Sequence, residues 1–173
     1  MAQHPTKQHE YARIERERTF LVECLPPTVD PEDYVRLVDR FVTGTHLRIR
    51  RVEDPGGREL LTKIGQKLPH PERPEDARLR KMTTIYLAPG EAAALGDPAG
   101  PTSRKRRYTL RVEGRAWSID AWEAPPSAAG LLLAEVECES DAELDAVRPP
   151  DWVEREVTDD PAFSAHALAA GTP

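Results

Sequence analysis

The stretch Ile14-Glu15-Arg16-Glu17-Arg18-Thr19-Phe20-Leu21-Val22 alternates with a period of two. In an extended strand, residues two apart share a face. Glu15, Glu17 and Thr19 therefore line one face, and Phe20 and Val22 line the other. The alternating run that holds this stretch is Ala12–Cys24. Others follow at Gly44–Glu53, Glu59–Gln66, Met82–Leu87, Ser103–Glu113, Arg115–Glu123, Leu131–Glu139 and Val153–Thr158.

Turn chemistry separates these runs. The sequence has 17 prolines and 10 glycines, and no helix-period segment exceeds about 10–12 residues. Asp54-Pro55-Gly56-Gly57 predicts a hairpin, and Glu113-Gly114-Arg115 a second tight turn. Pro69–Arg80 and Asp97–Thr102 read as polar loops. A helix is expected from Asp30, a good N-cap followed by Pro31, to about Asp39, with Tyr34, Leu37 and Val38 inward. Shorter helices are expected at Pro89–Leu95, Asp141–Val147 and Pro161–Ala170. Many short strands with a few small helices predict a mainly β (α+β) chain, a closed or nearly closed antiparallel structure.

Parity also sorts the charges. Arg48 and Arg50 share a face, opposed by Leu47 and Ile49. Lys105, Arg107 and Arg111 share a face, opposed by Tyr108, Leu110 and Val112. Glu135, Glu137 and Glu139 line up against Ala134, Val136 and Cys138, and Asp120 opposes Trp117 and Ile119. Any one of these faces could be solvent decoration. A solvated face, however, usually mixes signs, because neighbouring like charges repel. Here each strand carries one sign: acidic, basic, basic, acidic. Carboxylate clusters bind hard divalent cations through oxygen. Arg and Lys clusters bind phosphates. The joint ligand is a metal-bound polyphosphate.

Composition narrows the classes. The chain has 173 residues, 24 Lys plus Arg against 30 Asp plus Glu, and a formal net charge of -6, which argues against a nucleic-acid coat. No apolar run has the length of a membrane span, and no secretory leader is evident. The two cysteines, Cys24 and Cys138, have no metal-type spacing, which fits a reduced cytoplasmic protein. The histidines His4, His9, His46, His70 and His166 are too scattered for a zinc site. A flexible segment is expected over residues 1–11, and one folded domain over 12–170.

Taken in order, the motifs resemble a known family. Glu15-Arg16-Glu17-Arg18-Thr19 resembles the Glu-x-Glu-x-Lys signature strand of the CYTH, or triphosphate tunnel metalloenzyme, family. His46-Leu47-Arg48-Ile49-Arg50 is similar to its Tyr-Leu-Arg-x-Arg strand, and Leu61-Thr62-Lys63 to the strand after it. Lys105-Arg106-Arg107-Tyr108, Ile119-Asp120, Glu135-Val136-Glu137 and Glu156-Val157-Thr158 match later strands in the family's order. The resemblance implies an eight-stranded antiparallel β tunnel with short helices packed outside. It also implies hydrolysis of a triphosphate: inorganic tripolyphosphate first, with thiamine or nucleoside triphosphates as alternatives.

Residue by residue, the resemblance implies metal and catalytic positions at Glu15, Glu17, Glu135 and Glu137, with Asp120 as a further metal acid. The metal would be Mg²⁺ or Mn²⁺. Phosphate would be bound by Arg48, Arg50, Lys63, Lys105 and Arg107. Lys67 shares the parity of Lys63 and is the alternative at that place. Trp122 and Trp152 read as outer packing, with a stacking role at a tunnel mouth as the alternative. One departure stands out: the signature Lys falls on Thr19, and Arg18 points the other way by parity. That leaves two alternatives beside the hydrolase, namely a polyphosphate- or nucleotide-binding module with little turnover, and an adenylate cyclase on the same fold. The expected partner is a small triphosphate or polyphosphate, with no nucleic acid and no membrane. The oligomeric state stays open, a homodimer included.

Overall fold

The computed structural model describes residues 11–171. Of the segment expected to be flexible, residues 1–10 lie outside the described residues. The strands are β1 (Arg13–Val22), β2 (Val35–Phe41), β3 (Leu47–Glu53), β4 (Glu59–Pro69), β5 (Leu79–Leu87), β6 (Thr102–Val112), β7 (Arg115–Ala124), β8 (Leu132–Glu137) and β9 (Val153–Glu156). All pairings are antiparallel. The order β5-β4-β3-β2-β6-β7-β8-β1 closes on itself, because Arg13–Arg16 of β1 pairs with Leu79–Met82 of β5. This is the expected eight-stranded tunnel, with β9 as an additional strand on β1.

Both hairpins form where the turn residues put them. Between β3 and β4, Asp54 Oδ1 accepts the Arg58 amide at 2.9 Å, and Gly57 takes a φ of 86°. Between β6 and β7, Glu113 and Gly114 both have positive φ, 50° and 81°, as a two-residue turn that follows the strand twist requires. The short helices are α1 (Glu91–Ala94), α2 (Asp141–Asp145) and α3 (Ala165–Ala170), the last preceded by a 3₁₀ turn at Pro161–Phe163. Among the described residues, no helix is long and apolar enough to cross a membrane.

One expected element does not form. The segment from Asp30 to Asp39 is not a helix: Val35–Phe41 is strand β2, between β3 and β6. The capping signal at Asp30 is spent on a single turn, in which Asp30 Oδ1 accepts the Glu32 amide at 2.9 Å. Beyond it Val35, Val38 and Phe41 favour a pleated surface, and cross-strand hydrogen bonds on both sides override the local signal.

The main hydrophobic cluster lies outside the barrel. Phe20, Tyr108, Trp117, Ile119, Ala134 and Val136 come from the outward faces of β1, β6, β7 and β8, and all are buried. The Phe20 and Trp117 ring centroids are 5.4 Å apart, and Trp152 meets Trp117 edge-on at 5.5 Å. Leu25, Val29 and Tyr34 on one flank, and Val147, Trp152 and Val153 on the other, close this layer from solvent. Trp152 is thus a packing residue, as read. Trp122 is buried too, but on the inner face: it stands opposite Lys105, whose Nζ is 4.9 Å from its ring centroid.

Because the apolar core is external, truncating it should unfold the barrel without touching its charges. Trp117→Ala should cost about 3–5 kcal/mol in urea unfolding. A loss under about 1 kcal/mol would mean that this layer does not hold the strands together.

Candidate functional site

Residues directly opposite each other on antiparallel strands share a face. Glu17 opposes Glu137, and Thr19 opposes Glu135. Arg50 opposes both Asp39 and Lys63, and Arg107 opposes Asp120. These residues all face the interior. The structure therefore brings Glu15, Glu17, Glu135, Glu137, Asp120, Arg48, Arg50, Lys63, Lys105 and Arg107 to one lumen.

Inside, they divide into groups. In the first, Arg50 is clamped by Asp39 through two bonds, Nε–Oδ1 at 2.6 Å and Nη2–Oδ2 at 2.7 Å, and Arg48 Nη1 lies 3.7 Å from the same carboxylate. Asp39 is 1% exposed. Its desolvation opposes ionisation, but Arg50 outweighs it and holds the carboxyl well below the usual range. Asp39 was not expected here, because its segment reads as a helix. In the second group, Asp120, fully buried, accepts two bonds from Arg107 at 2.6 and 2.7 Å and also pairs with Lys105 Nζ. Desolvation is again outweighed by Arg107 and Lys105, and Asp120 titrates far below the usual range. Arg107 Nη2 also donates to Glu135 at 2.5 Å.

A third group is purely acidic on the protein side. Glu15, Glu17 and Glu137 each offer a carboxylate oxygen within 4.8 Å of the others. Burial, then Glu15 and Glu17, push the Glu137 carboxyl up. Among the described residues, Lys67 meets Glu15 and Glu17, and the exposed Arg13 lies 3.8 Å from Glu137. The Lys67 Nζ lies 2.7 Å from Glu15 Oε2 and donates to Glu17 Oε1 at 3.3 Å. The contact with Glu15 is a close ion pair to a buried carboxylate oxygen. Desolvation works against the Lys67 charge, yet Glu17 and Glu15 outweigh it and hold the ammonium above its ordinary range. The Lys67 side chain keeps 40% of its surface accessible, so this end of the lumen is open to solvent.

Two lumenal cations have the opposite problem. Lys63 forms no ion pair among the described residues, and its Nζ sits 5.8 Å from the Tyr86 ring centroid. Desolvation, then Arg50 and Arg48, pull its ammonium down. Desolvation and Arg50 likewise lower Arg48. The tunnel thus holds a cation surplus around Arg48 and Lys63 and an acid surplus around Glu15, Glu17 and Glu137.

Several sequence readings are refined by this arrangement. Glu135 and Asp120, expected as metal ligands, are engaged by Arg107 and Lys105 and stand outside the three-carboxylate group. Arg18 does point outward, where it is held by Glu156 at 2.6 and 2.9 Å. Thr19 faces the lumen without a charge. His46 is exposed at the entry to β3.

No family model matches the chain. An inorganic triphosphatase of Acetivibrio thermocellus is 36% identical over 63 residues, which is 36% of this chain and 38% of that protein. The match thus spans well under half of its length. A solved structure of the inorganic triphosphatase NE1496 shares the fold with a TM-score of 0.56 at 23% identity, covering 90% of this chain and 93% of that one. A second structure of NE1496 gives 0.58 at 24% identity, covering 92% and 99%.

The buried clamps fix the sign of the acid response. Asp39 and Asp120 titrate below their unfolded value of about 3.9, so their stabilisation is complete above that pH and fades as pH falls below it. Glu137, raised in the folded state, acts in the opposite sense, but it is half exposed and screened. Urea-unfolding stability should therefore decline below about pH 4. Asp39→Asn should flatten that decline and cost about 3–5 kcal/mol at neutral pH, since it leaves Arg50 buried without its counter-ion. An unchanged pH profile in the variant would refute the assignment.

Proposed function

The fold is that of the CYTH, or triphosphate tunnel, family, as the strand motifs implied, and on that premise we propose that the chain hydrolyses a linear triphosphate, inorganic tripolyphosphate first among them. The observation that carries the reading is the electrical incompleteness of the lumen. Lys63, without an ion pair among the described residues, and weakly paired Arg48 call for an anion, while Glu15, Glu17 and Glu137 call for a cation. A triphosphate chain with a divalent ion supplies both.

The donor set suits Mg²⁺ or Mn²⁺: three carboxylates, oxygen only, crowded enough that Glu15 and Glu17 add to burial in pushing the Glu137 carboxyl up. Bound at Glu15, Glu17 and Glu137, such an ion supplies charge neutralisation at phosphoryl oxygens and a more acidic water. Arg48 and Lys63 bind the non-bridging oxygens. Arg107, anchored by Asp120, reaches Glu135 and so stands between the cationic and acidic groups. Arg50 and Lys105, each fixed by a buried Asp, preset the field and need not reorganise when substrate enters. Phosphoryl transfer is governed by positioning and charge, so the site works without a covalent nucleophile. A reducing cytoplasm suits the two free thiols, Cys24 and Cys138.

The second reading, binding with little turnover, draws on Thr19, which leaves β1 without its signature ammonium. A panel of tripolyphosphate, thiamine triphosphate and ATP, each with Mg²⁺ or Mn²⁺, tests both readings by the orthophosphate, pyrophosphate and cyclic nucleotide formed. The expected result is orthophosphate from tripolyphosphate, abolished by chelator and restored by metal. Glu137→Gln should lower the rate by about 10²-fold or more, the scale of one lost electrostatic group. Undiminished turnover in that variant would overturn the metal assignment. Tight, salt-sensitive binding with no product over hours would favour the binding module.

A further inference from the structure

Lys67 sits where a metal-dependent tunnel has no obvious use for a lysine. Its ammonium lies between Glu15 and Glu17, in contact with the oxygens that the proposed metal would take. It comes from the far end of β4, whose Lys67 backbone amide donates to His46 at 3.2 Å. On the same face of β4 it is separated from Lys63 by Gly65, which contributes no side chain. Next to Glu17 on the lumenal face of β1 comes Thr19, about 7 Å further along the strand. A lysine stem has four rotatable carbons, and this one has open lumen beside it.

We infer that Lys67 does the work of the ammonium missing from Thr19: it is the counter-ion of Glu15 and Glu17 in the metal-free tunnel, and it swings to the phosphate chain when a divalent ion takes those carboxylates. The inference rests on the proposed triphosphate reading. Its physical basis is competition. An ammonium and a divalent ion cannot both occupy the same carboxylate oxygens, because like charges at contact distance repel. The displaced ammonium then needs a new anion. The nearest acid partners are taken: Arg107 holds Glu135, and Glu137 lies within the metal group, with Arg13 3.8 Å from it at the surface. The phosphoryl oxygens of a bound triphosphate would fill that need, in the lumen that Thr19 also faces. Strand parity allows the exchange between β1 and β4, because both side chains face one hollow.

The test uses the full chain without substrate first. Calorimetric titration with Mn²⁺ alone should show Lys67→Met binding the ion about tenfold more tightly than the parent, since the competing cation is gone. The melting temperature of the metal-free variant should fall, and Mn²⁺ should raise it by more than it raises the parent's. A methylene-bridged triphosphate, added with Mn²⁺, should bind Lys67→Met about tenfold more weakly, and Thr19→Lys in the same chain should restore that affinity. Should Lys67→Met fail to fold, Lys67→Gln gives the same comparison. Equal Mn²⁺ affinity in parent and variant overturns the inference, as does a triphosphate affinity that Thr19→Lys does not rescue. If Mn²⁺ binds neither protein, the metal reading of the tunnel fails instead, and an unchanged metal-free melting temperature then removes the counter-ion role as well.

Discussion

Two buried ion clusters set the terms for everything else in this barrel: Asp39 with Arg50 and Arg48, and Asp120 with Lys105 and Arg107. Taking charges out of water costs several kcal/mol per ion, and their mutual attraction offsets this only with close geometry. Both aspartates meet that condition, each with a bidentate arginine. Such pairs add little net stability compared with hydrocarbon of equal volume. The largest hydrophobic cluster, with Phe20, Trp117, Ile119 and Val136, accordingly lies outside the barrel, and Leu37 and Trp122 are among the few buried apolar side chains on its inner face. That inversion frees the interior to be polar, and a polar interior is what a charged substrate requires.

The sequence made the sign of each strand legible, because strand parity needs only a period of two. The acidic face of Glu15 and Glu17, the basic faces of Arg48–Arg50 and Lys105–Arg107, and the acidic face of Glu135–Glu137 all survive in the structure. Hairpins at Gly57 and Gly114 were legible for a similar reason, since both turns demand positive φ. What parity cannot supply is the partner of each charge, which depends on cross-strand register. Asp120 is an acid on the correct face, but its register opposite Arg107 makes it a counter-ion. Lys63 and Lys67 have the same parity. Only the shift that sets Lys63 against Arg50, and brings Lys67 to Glu15, tells them apart.

Asp39 was illegible for a different reason. Asp30-Pro31-Glu32 carries a strong local helix signal, and one turn does form there. The strand that follows is selected by its neighbours β3 and β6, whose edges it completes. Propensity acts over a few residues, whereas closing a barrel satisfies a whole row of backbone groups. Non-local pairing prevails, and it delivers a buried carboxylate to the two arginines that most need one.

The lumen's acids therefore fall into two kinds, and the division follows from how many cations each can reach. Asp39 and Asp120 are saturated, desolvated and strongly ionised. Glu15 and Glu17 share the Lys67 ammonium, while Glu137, half exposed, meets only the distant guanidinium of Arg13 among the described residues. Saturated pairs are poor ligands, because any incoming ion must first break a bidentate contact in a low-dielectric setting. A crowded group of like charges is a better one, since a divalent ion would relieve repulsion already present. The same contrast separates the cations: Arg50 and Lys105 are locked, while Lys63 has no acid partner among the described residues and Arg48 is only loosely held. Fixed pairs provide a rigid electrostatic frame, and the unsatisfied groups mark where exchangeable charge belongs. On the proposed triphosphate reading, ligands would replace the weak internal contacts and leave the strong ones in place, so that the frame stays fixed while the site fills.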